Sequence, residues 1–257
     1  MENKKFYGCL LCTDMDGTLL TSDGKISREN SEAIKHFQEN GGLFTVSTGR
    51  VYTFLESFLN DFKVNTHIIQ LNGTSVIDGE SKRVIFEKYL DKKTLQLMYN
   101  DIMHRYGKDI EMSHIGTTHK FYDYTGNAYD YNENIMKIVF HAYKEIKCFE
   151  IKRYLEATYC GHFNFNRSWN VGLEAIPKNC GKGVCVNVLK NMLGERAKLT
   201  VCVGDYENDI TMIETADIGY AVKNATESVK AIADRITVSN NESAIASIIN
   251  DLEKELK

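Results

Sequence analysis

Three clusters of acidic and polar residues stand in this sequence, each directly after an apolar run. They occur in "CTDMDGTLL", "LFTVSTGR" and "KLTVCVGDYEND", and their candidate functional residues are Asp14, Asp16, Thr48, Arg50, Asp205, Asn208 and Asp209. Carboxylates are costly to bury, and they repel one another unless a cation lies among them. Hard oxygen ligands of this kind suit Mg²⁺. The residue types therefore predict a site for a metal ion and a phosphate group, provided that the fold brings the clusters together.

The elements around the first two clusters have the pattern of a β-α-β unit. The apolar run "KFYGCLLCTD" predicts a strand, "ISRENSEAIKHFQENGG" has the apolar spacing of a helix, and "LFTVSTGR" predicts a second strand. A helical stretch at 51–63 and a third strand of the same type in "THIIQLNG" follow. Such units form parallel sheets, whose ligands bind beyond the carboxyl ends of the strands. All three clusters are therefore expected at one edge of a sheet.

The C-terminal part returns to the same alternation of strands and helices. "KLTVCVGD", "DIGYAV" and "RITVS" predict strands, separated by "YENDITMIETA" and "ATESVKAIAD" and closed by "ESAIASIINDLEKEL", which predict helices. Between about 85 and 176 tyrosine, histidine and asparagine become frequent. The strands "MKIVFHAY" and "HFNFN" and helices at 91–106 and 148–159 predict a second module there. The predicted organisation is a core of residues 1–84 and 177–257 with an insertion of residues 85–176.

Composition narrows the class of protein. The chain has 257 residues, 43% of them hydrophobic, so it can bury a substantial core. A net charge of −4 without a basic patch argues against nucleic acid as a partner. No apolar run has the length of a membrane helix and the N-terminus does not resemble a signal peptide, so a cytoplasmic location without membrane attachment is expected. The 7 cysteines fit buried thiols, and the apolar surroundings of Cys9 and Cys12 favour the core over a redox C-x-x-C motif.

Four segments carry a resemblance to a known family. "DMDGTLL", "VSTGR", "IPKNCGKG" and "GDYENDITM" resemble, in order and spacing, the four motifs of the haloacid dehalogenase-like superfamily. Within it, the inserted module, "LNGTSVIDG" and "ADIGYAVKNA" are similar to the Cof-like sugar-phosphate phosphatases with their large cap. The resemblance implies an α/β fold with a Rossmann-like parallel-sheet core, helices on both faces and an inserted α+β cap domain.

The same resemblance implies a role for each motif residue. Asp14 would be the nucleophile that forms an aspartyl-phosphate, and Asp16 would protonate the leaving oxygen and then deprotonate water. Thr48 and Lys182 would be catalytic and bind the phosphoryl oxygens. Mg²⁺ would be bound by the side chains of Asp14 and Asp205 and the backbone carbonyl of Asp16, with Asp209 acting through water or orienting these ligands. Arg50 and Asn208 complete the substrate-binding set, and Asn208 has the alternative of orienting the metal ligands.

Several of these residues have structural alternatives. Asp205 and Asp209 are also suited to cap a helix, Lys182 to lie on the surface, and Arg50 to form a structural ion pair. Asn72 and Gly73 match the family's turn near the site and are not assigned to catalysis. Within the inserted module, some of five residues are candidates to contact the leaving group: Tyr122, Tyr124, Asn164, Asn166 and Trp169. The histidines His114, His119, His141 and His162 lack the spacing of zinc ligands.

The predicted function is a Mg²⁺-dependent phosphatase that acts on a small phosphorylated metabolite such as a sugar phosphate. No obligate protein partner is indicated. A phosphomutase or phosphotransferase on the same scaffold is the first alternative, because it shares the aspartyl-phosphate chemistry. A non-catalytic binding module is the second, although it predicts the loss of catalytic residues that are all present here.

Overall fold

The computed structural model describes residues 4–58, 61–124, 128 and 133–256. The chain divides into two compact units, one formed by Met1–Ile85 with Lys182–Lys257 and the other by Phe86–Gly181. The predicted boundaries at 84/85 and 176/177 lie close to these divisions. Pro177 ends a strand of the second unit, in which it pairs with Phe163, so the chain reaches the first unit only at Lys182.

The strands and helices are numbered here in chain order. The strands are β1 (Cys9–Thr13), β2 (Leu43–Val46), β3 (His67–Gln70), β4 (Ser75–Asp78), β5 (Val84–Glu87), β6 (Ile110–Gly116), β7 (Phe121–Asp123), β8 (Ile135–Ala142), β9 (Phe163–Trp169), β10 (Gly172–Pro177), β11 (Leu199–Gly204), β12 (Ile218–Ala221) and β13 (Arg235–Ile236). The α-helices are α1 (Arg28–Glu39), α2 (Tyr52–Leu55), α3 (Lys92–Tyr106), α4 (Glu145–Tyr159), α5 (Lys182–Leu193), α6 (Ile210–Thr215), α7 (Glu227–Ile232) and α8 (Ala244–Glu255).

The first unit is built on a parallel sheet in the order β13-β12-β11-β1-β2. The register sets Thr13 of β1 beside Val203 of β11 and Val46 of β2. Since parallel strands end at the same edge, the residues that follow these strands lie together. The sheet thus brings the three polar clusters to one edge, as the alternation of strands and helices predicts.

Helices cover both faces of this sheet. Leu11 of β1 belongs to an apolar cluster with Phe37 of α1 and Ile248 of α8. The next residue, Cys12, contacts the sulfur of Met212 in α6 at 3.8 Å. Because successive strand residues point to opposite faces, α1 and α8 cover one side and α6 the other. The fold of this unit is therefore the predicted α/β arrangement, and its fully buried β1 leaves no exposed C-x-x-C motif.

The segment after β2 differs from the sequence prediction in its helix. The predicted helix at 51–63 is shorter, with α2 followed by a 3₁₀ turn at Glu56–Phe58, while residues 59 and 60 lie outside the described part. The Asn65 side chain binds the backbone of Phe44 and Gly42 and turns the chain toward β3. The third strand, β3, pairs antiparallel with β4 and contacts the chain after β2 through a parallel bridge between Ser47 and Ile69.

The second unit has an antiparallel sheet in the order β7-β6-β8-β10-β9. Apolar residues on one face, among them Phe140 of β8, form a buried cluster with α3 and α4. The neighbouring strands β8 and β10 also carry a buried ion pair between Lys137 and Glu174 at 2.8 Å. Along the described residues, no helix is long and apolar enough to cross a membrane.

Candidate active site

Asp14 is the first residue after β1, and its carboxylate is almost completely buried at the edge of the sheet. Its backbone N–H donates to the carbonyl of Val203 in β11 at 3.0 Å, which continues the ladder by one residue. Its side chain is 7% exposed, and its Oδ1 accepts a hydrogen bond from Lys182 Nζ at 2.5 Å. The strand thus holds a carboxylate at a buried position that an ammonium group compensates.

Lys182 begins α5 and is fully buried. Its Nζ lies 2.5 Å from Asp14 Oδ1 and 2.6 Å from Asp209 Oδ1. A Cβ atom on the next residue, Gly183, would lie 2.2 Å from the carbonyl of Thr211, so only glycine permits α5 to begin this close to α6. The surface alternative for Lys182 is therefore wrong, and the glycine beside it explains how the lysine reaches the two carboxylates.

Asp205 and Asp209 complete the acidic cluster. Carboxylate oxygens of Asp14, Asp205 and Asp209 all lie within 4.8 Å of one another. Asp209 Oδ2 also accepts hydrogen bonds from the backbone N–H groups of Asp205 at 3.0 Å and Tyr206 at 3.2 Å. Asp209 therefore caps the turn that follows β11 with one oxygen and binds Lys182 with the other. Its role as a cap does not exclude its place in the acidic cluster.

The three carboxylates of the cluster outnumber the one ammonium group among them, and burial together with this imbalance shifts the pKa values of Asp14 and Asp205. Burial raises the pKa of Asp14 well above its usual value, the Lys182 ammonium lowers it, and the carboxylates of Asp209 and Asp205 raise it. Burial and the Asp209 carboxylate raise the pKa of Asp205 to about 7. Burial alone would lower the pKa of Lys182, but the charges of Asp14 and Asp209 outweigh it and raise that pKa. Lys182 is therefore the charged partner, and it does not balance three carboxylates.

The donor set fits a divalent cation. Three ionised carboxylates and one ammonium leave two negative charges, which a dication would neutralise. The oxygen atoms are hard ligands of the kind that Mg²⁺ prefers. Within the described residues, the buried Asn208 Oδ1 also has no hydrogen-bond donor, as expected of an atom that binds a metal-bound water. Mg²⁺ is therefore compatible with the residues present.

Asp16 and Arg50 form an ion pair beside the buried cluster. Arg50 Nε and one terminal nitrogen lie 2.6 Å and 2.7 Å from the two Asp16 carboxylate oxygens. The Arg50 guanidinium also stacks on the ring of Phe54, 3.6 Å from the ring centre. Both charged side chains are about half exposed, at 50% for Asp16 and 42% for Arg50. The ion-pair alternative for Arg50 is therefore present, and water or an anionic ligand has access to both groups.

Asn72, which the sequence does not assign to catalysis, links Thr48 to Asn208. The carbonyl of Thr48 accepts a hydrogen bond from the N–H of Asn72 at 2.9 Å, and its buried hydroxyl accepts from the N–H of Arg50 at 3.1 Å. Asn208 Nδ2 donates to Asn72 Oδ1 at 3.1 Å. Asn72 has a positive φ of 54°, which an asparagine tolerates better than most residues. Asn72 therefore ties the second polar cluster to the third.

Thr18 is a site contact that the sequence reasoning missed. Its buried hydroxyl donates to Asp205 Oδ1 at 3.2 Å, across 187 positions in the chain. Its position after Asp16 and Gly17 in "DMDGT" indicated that Thr18 lies in the turn at the end of β1. The sequence offered no reason to expect that its hydroxyl would bind Asp205, which follows a strand far along the chain.

Replacing Gly17 by alanine is expected to disturb Asp205. Gly17 has a φ of +79°, and a Cβ there would lie 2.5 Å from Asp205 Oδ2. Gly24 is a matched control, because it has a φ of +74° with nothing within 4 Å of its Cβ position. We expect both variants to lose about 1–2 kcal/mol of unfolding free energy through backbone strain. Only Gly17→Ala should also lose turnover, by about tenfold or more, because it displaces a site carboxylate.

Denaturant unfolding and steady-state kinetics measure the two effects separately. Equal turnover in Gly17→Ala and Gly24→Ala would contradict the close approach of the turn to Asp205.

The candidate ligand contacts of the inserted module all lie in the second unit. There, Tyr122 stacks on His114, and Asn164 Nδ2 donates to the carbonyl of Cys180 at 2.7 Å. Over the described ranges, the acidic cluster of the first unit is the group of residues with the geometry for a metal, and it includes no histidine.

Comparison with known proteins agrees with this geometry. The family model described as haloacid dehalogenase-like hydrolase matches residues 11–122 and 99–249. The chain is 27% identical to the 5-amino-6-(5-phospho-D-ribitylamino)uracil phosphatase YitU of Bacillus subtilis, over 98% of each chain. Its fold is shared with a haloacid dehalogenase-like hydrolase from B. subtilis, with a TM-score of 0.81, 22% identity and coverage of 94% and 98%. The subclass IIB sugar phosphatase BT4131 has a TM-score of 0.79, 20% identity and coverage of 95% and 98%.

The structural similarities show the fold, and the curated relative is a phosphatase. The family model spans most of the chain and includes the clusters at the ends of β1, β2 and β11. The protein therefore belongs to the haloacid dehalogenase-like hydrolase family.

Proposed function

We propose that this protein is a Mg²⁺-dependent phosphatase that hydrolyses a small phosphomonoester, a sugar phosphate or related metabolite, through an aspartyl-phosphate. The observation that carries the proposal is the buried Asp14 carboxylate at the end of β1, bound to Lys182 and close to Asp205 and Asp209. A carboxylate nucleophile needs the negative charge of the phosphoryl group to be offset, and this arrangement supplies a fixed ammonium group beside it. The phosphatase names of relatives support the same reaction class.

In the first half of the reaction, a carboxylate oxygen of Asp14 forms a bond to phosphorus while the bond from phosphorus to the leaving oxygen breaks. Asp16 in its protonated form gives its proton to the leaving oxygen, so that an alcohol departs. Lys182 and the Thr48 hydroxyl stabilise the phosphoryl oxygens, which carry the charge of the transition state. The half-exposed position of Asp16 supports this role, because the leaving alcohol must also exchange with solvent.

Asp16 is left ionised by the first half of the reaction. In the second half, water attacks the phosphorus of the aspartyl-phosphate and gives a proton to the Asp16 carboxylate. The bond from phosphorus to Asp14 breaks, which releases inorganic phosphate and restores both aspartates. Arg50 is placed to attract the anionic substrate, and an incoming phosphate would compete with Asp16 for its guanidinium. The side chains of Asp14 and Asp205 and the carbonyl of Asp16 would hold Mg²⁺, with Asp209 acting through water or orienting them, and the bound ion would supply positive charge against the phosphoryl group.

Asp205→Ala is expected to raise the Mg²⁺ concentration needed for half-maximal activity by about 10–100-fold. The variant removes a carboxylate from the cluster, while Asp251→Ala removes one from an exposed ion pair with Lys254 and serves as the control. Titration calorimetry with Mg²⁺ measures the loss of binding directly. Unchanged Mg²⁺ affinity in Asp205→Ala would contradict the proposed metal ligands.

The test of the proposed function is release of inorganic phosphate from a panel of compounds. The panel contains sugar phosphates, a ribityl phosphate, nucleotides, flavin mononucleotide, pyridoxal phosphate and p-nitrophenyl phosphate, each with Mg²⁺ and with chelator. Mg²⁺-dependent release of phosphate is the expected result. Transfer of the phosphoryl group to a second sugar without release would favour a phosphomutase, and silence of the folded protein with every compound would contradict the proposal.

A further inference from the structure

Asn224 lies in the loop between β12 and α7 and makes two hydrogen bonds that the reaction described above does not use. Its Nδ2 donates to the carbonyl of Gly17 at 2.8 Å, across 207 positions in the chain. Its Oδ1 accepts from the backbone N–H of Asn240 at 2.9 Å. One side chain therefore connects the turn that carries Asp16 to a loop near the C-terminus.

The turn that carries Asp16 has an irregular backbone. Within Met15–Leu19, Asp16 has φ −76° and ψ 117°, and Gly17 has φ 79° and ψ 0°. The N–H of Leu20 closes the turn on the carbonyl of Met15 at 2.8 Å. Glycine is the most flexible residue, so local conformation alone defines the peptide between Gly17 and Thr18 poorly. The hydrogen bond from Asn224 to the Gly17 carbonyl fixes the orientation of that peptide from outside the turn, one residue after Asp16.

The loop that contains Asn224 also contacts the acidic cluster. The N–H of Thr226 donates to the carbonyl of Asp205 at 2.9 Å, and the N–H of Ala225 donates to the carbonyl of Val222 at 2.9 Å. The short loop at 222–226 is therefore closed on itself and binds the backbone at both Gly17 and Asp205. It therefore links the turn of Asp16 to the backbone of Asp205.

A second asparagine nearby has the same chemistry but a different position. Asn241 Nδ2 donates to Ser22 Oγ at 2.9 Å, and its Oδ1 accepts from the N–H of Ser22 at 2.9 Å. Both asparagines are exposed and line the same cavity of about 510 Å³, together with Asp16. Asn241 binds Ser22, which lies after the turn of Met15–Leu19, whereas Asn224 binds Gly17 within that turn. Asn241 is therefore a matched control.

We propose that Asn224 is a positioning residue that orients Asp16 for proton transfer to the leaving oxygen, a role that rests on the proposed phosphatase function. A residue with this role matters most when the leaving group needs a proton. An alkyl phosphate releases a basic alkoxide that must be protonated, whereas p-nitrophenyl phosphate releases a stable phenolate that needs no acid. A residue that only stabilises the fold would affect both substrates equally.

The test compares Asn224→Ala, Asn224→Asp and Asn241→Ala on these two substrates. We expect Asn224→Ala to lower kcat/KM by about 30–100-fold for the alkyl phosphate and by less than about threefold for p-nitrophenyl phosphate. Asn224→Asp retains the acceptor for Asn240 but loses the donor to Gly17, and should show the same selectivity. Asn241→Ala should leave kcat/KM unchanged for both substrates. Asp16→Ala removes the acid itself and should therefore show the largest difference between the losses on the two substrates. Equal losses on both substrates in the Asn224 variants would overturn the proposal.

A second measurement does not depend on turnover. Hydrogen exchange of the backbone amides of residues 15–20 should be about tenfold faster in Asn224→Ala than in Asn241→Ala, because the turn loses its anchor. If the unmodified protein released no phosphate, the proposed function would fail, and the exchange rates would still decide whether Asn224 orders the turn. Equal exchange rates would refute its positioning role.

Discussion

Replacement of Asp14 by asparagine is expected to lower turnover by about four orders of magnitude or more, because the variant has no nucleophile. Asparagine has nearly the same volume as aspartate, and its Oδ1 can still accept from Lys182 Nζ, which lies 2.5 Å away in the native site. Lys182 also keeps Asp209 as an ionic partner at 2.6 Å. Since burial raises the pKa of Asp14, the neutral amide also avoids the cost of burying a charge. The fold should therefore survive the substitution.

Two measurements establish this result. Release of inorganic phosphate reports turnover, and trapping of radioactive phosphate on the denatured protein reports the aspartyl-phosphate. Asp217→Asn is a matched control, because Asp217 pairs with Lys190 on the surface of the same unit. Native turnover in Asp14→Asn, or phosphate trapped on it at the native level, would assign the nucleophile to another residue.

Replacement of Lys182 by methionine is expected to reduce both stability and activity. The fully buried ammonium lies between Asp14 and Asp209, so methionine leaves two buried carboxylates without their cationic partner. Breaking a buried ion pair in this way costs about 3–5 kcal/mol of unfolding free energy. Turnover should fall by about 100–1,000-fold, because the phosphoryl oxygens lose a fixed positive charge. Mg²⁺ should recover part of the lost stability, since a ligand that binds the native state stabilises it.

The control for this variant lies on the same helix. Lys190 of α5 contacts Asp217 at 2.7 Å, and both side chains are about one-third exposed. Lys190→Met should therefore change the unfolding free energy by less than about 1 kcal/mol and leave turnover unchanged. Denaturant unfolding with and without Mg²⁺ measures the unfolding free energy of both variants. A loss of stability in Lys182→Met no greater than in Lys190→Met would contradict the compensating role of the buried lysine.

Much of the first unit was predictable because its signals are local. The apolar runs before Asp14, Thr48 and Asp205 become β1, β2 and β11, and helical spacing places Ile34 and Phe37 of α1 in the core. The misses occur where long-range contacts override a local pattern. The helix expected at 51–63 ends early, and Asn65 binds the backbone of Phe44 and Gly42 beside β2.

The candidate site shows the same division residue by residue. Sequence spacing indicated that Asp14 and Asp16 belong to one turn, and the resemblance to a known family assigned them roles that stay predictions. Neither suggested that Arg50 would bind both oxygens of Asp16, or that Thr18 would donate to Asp205. In each of these contacts the two side chains are far apart in the sequence, and the residues around one of them do not indicate which residue it will bind.

By itself, the sequence determined the alternation of strands and helices and the polar residues at the ends of three strands. These properties follow from the side-chain periods of strands and helices and from residue types, which consecutive positions carry. The family was indicated separately, by the resemblance of four motifs. Only the tertiary structure decided that Lys182 lies buried between Asp14 and Asp209, and that Asn224 reaches Gly17. Those contacts span 168, 27 and 207 positions. They exist because the packed sheet and helices bring together residues that no local pattern relates.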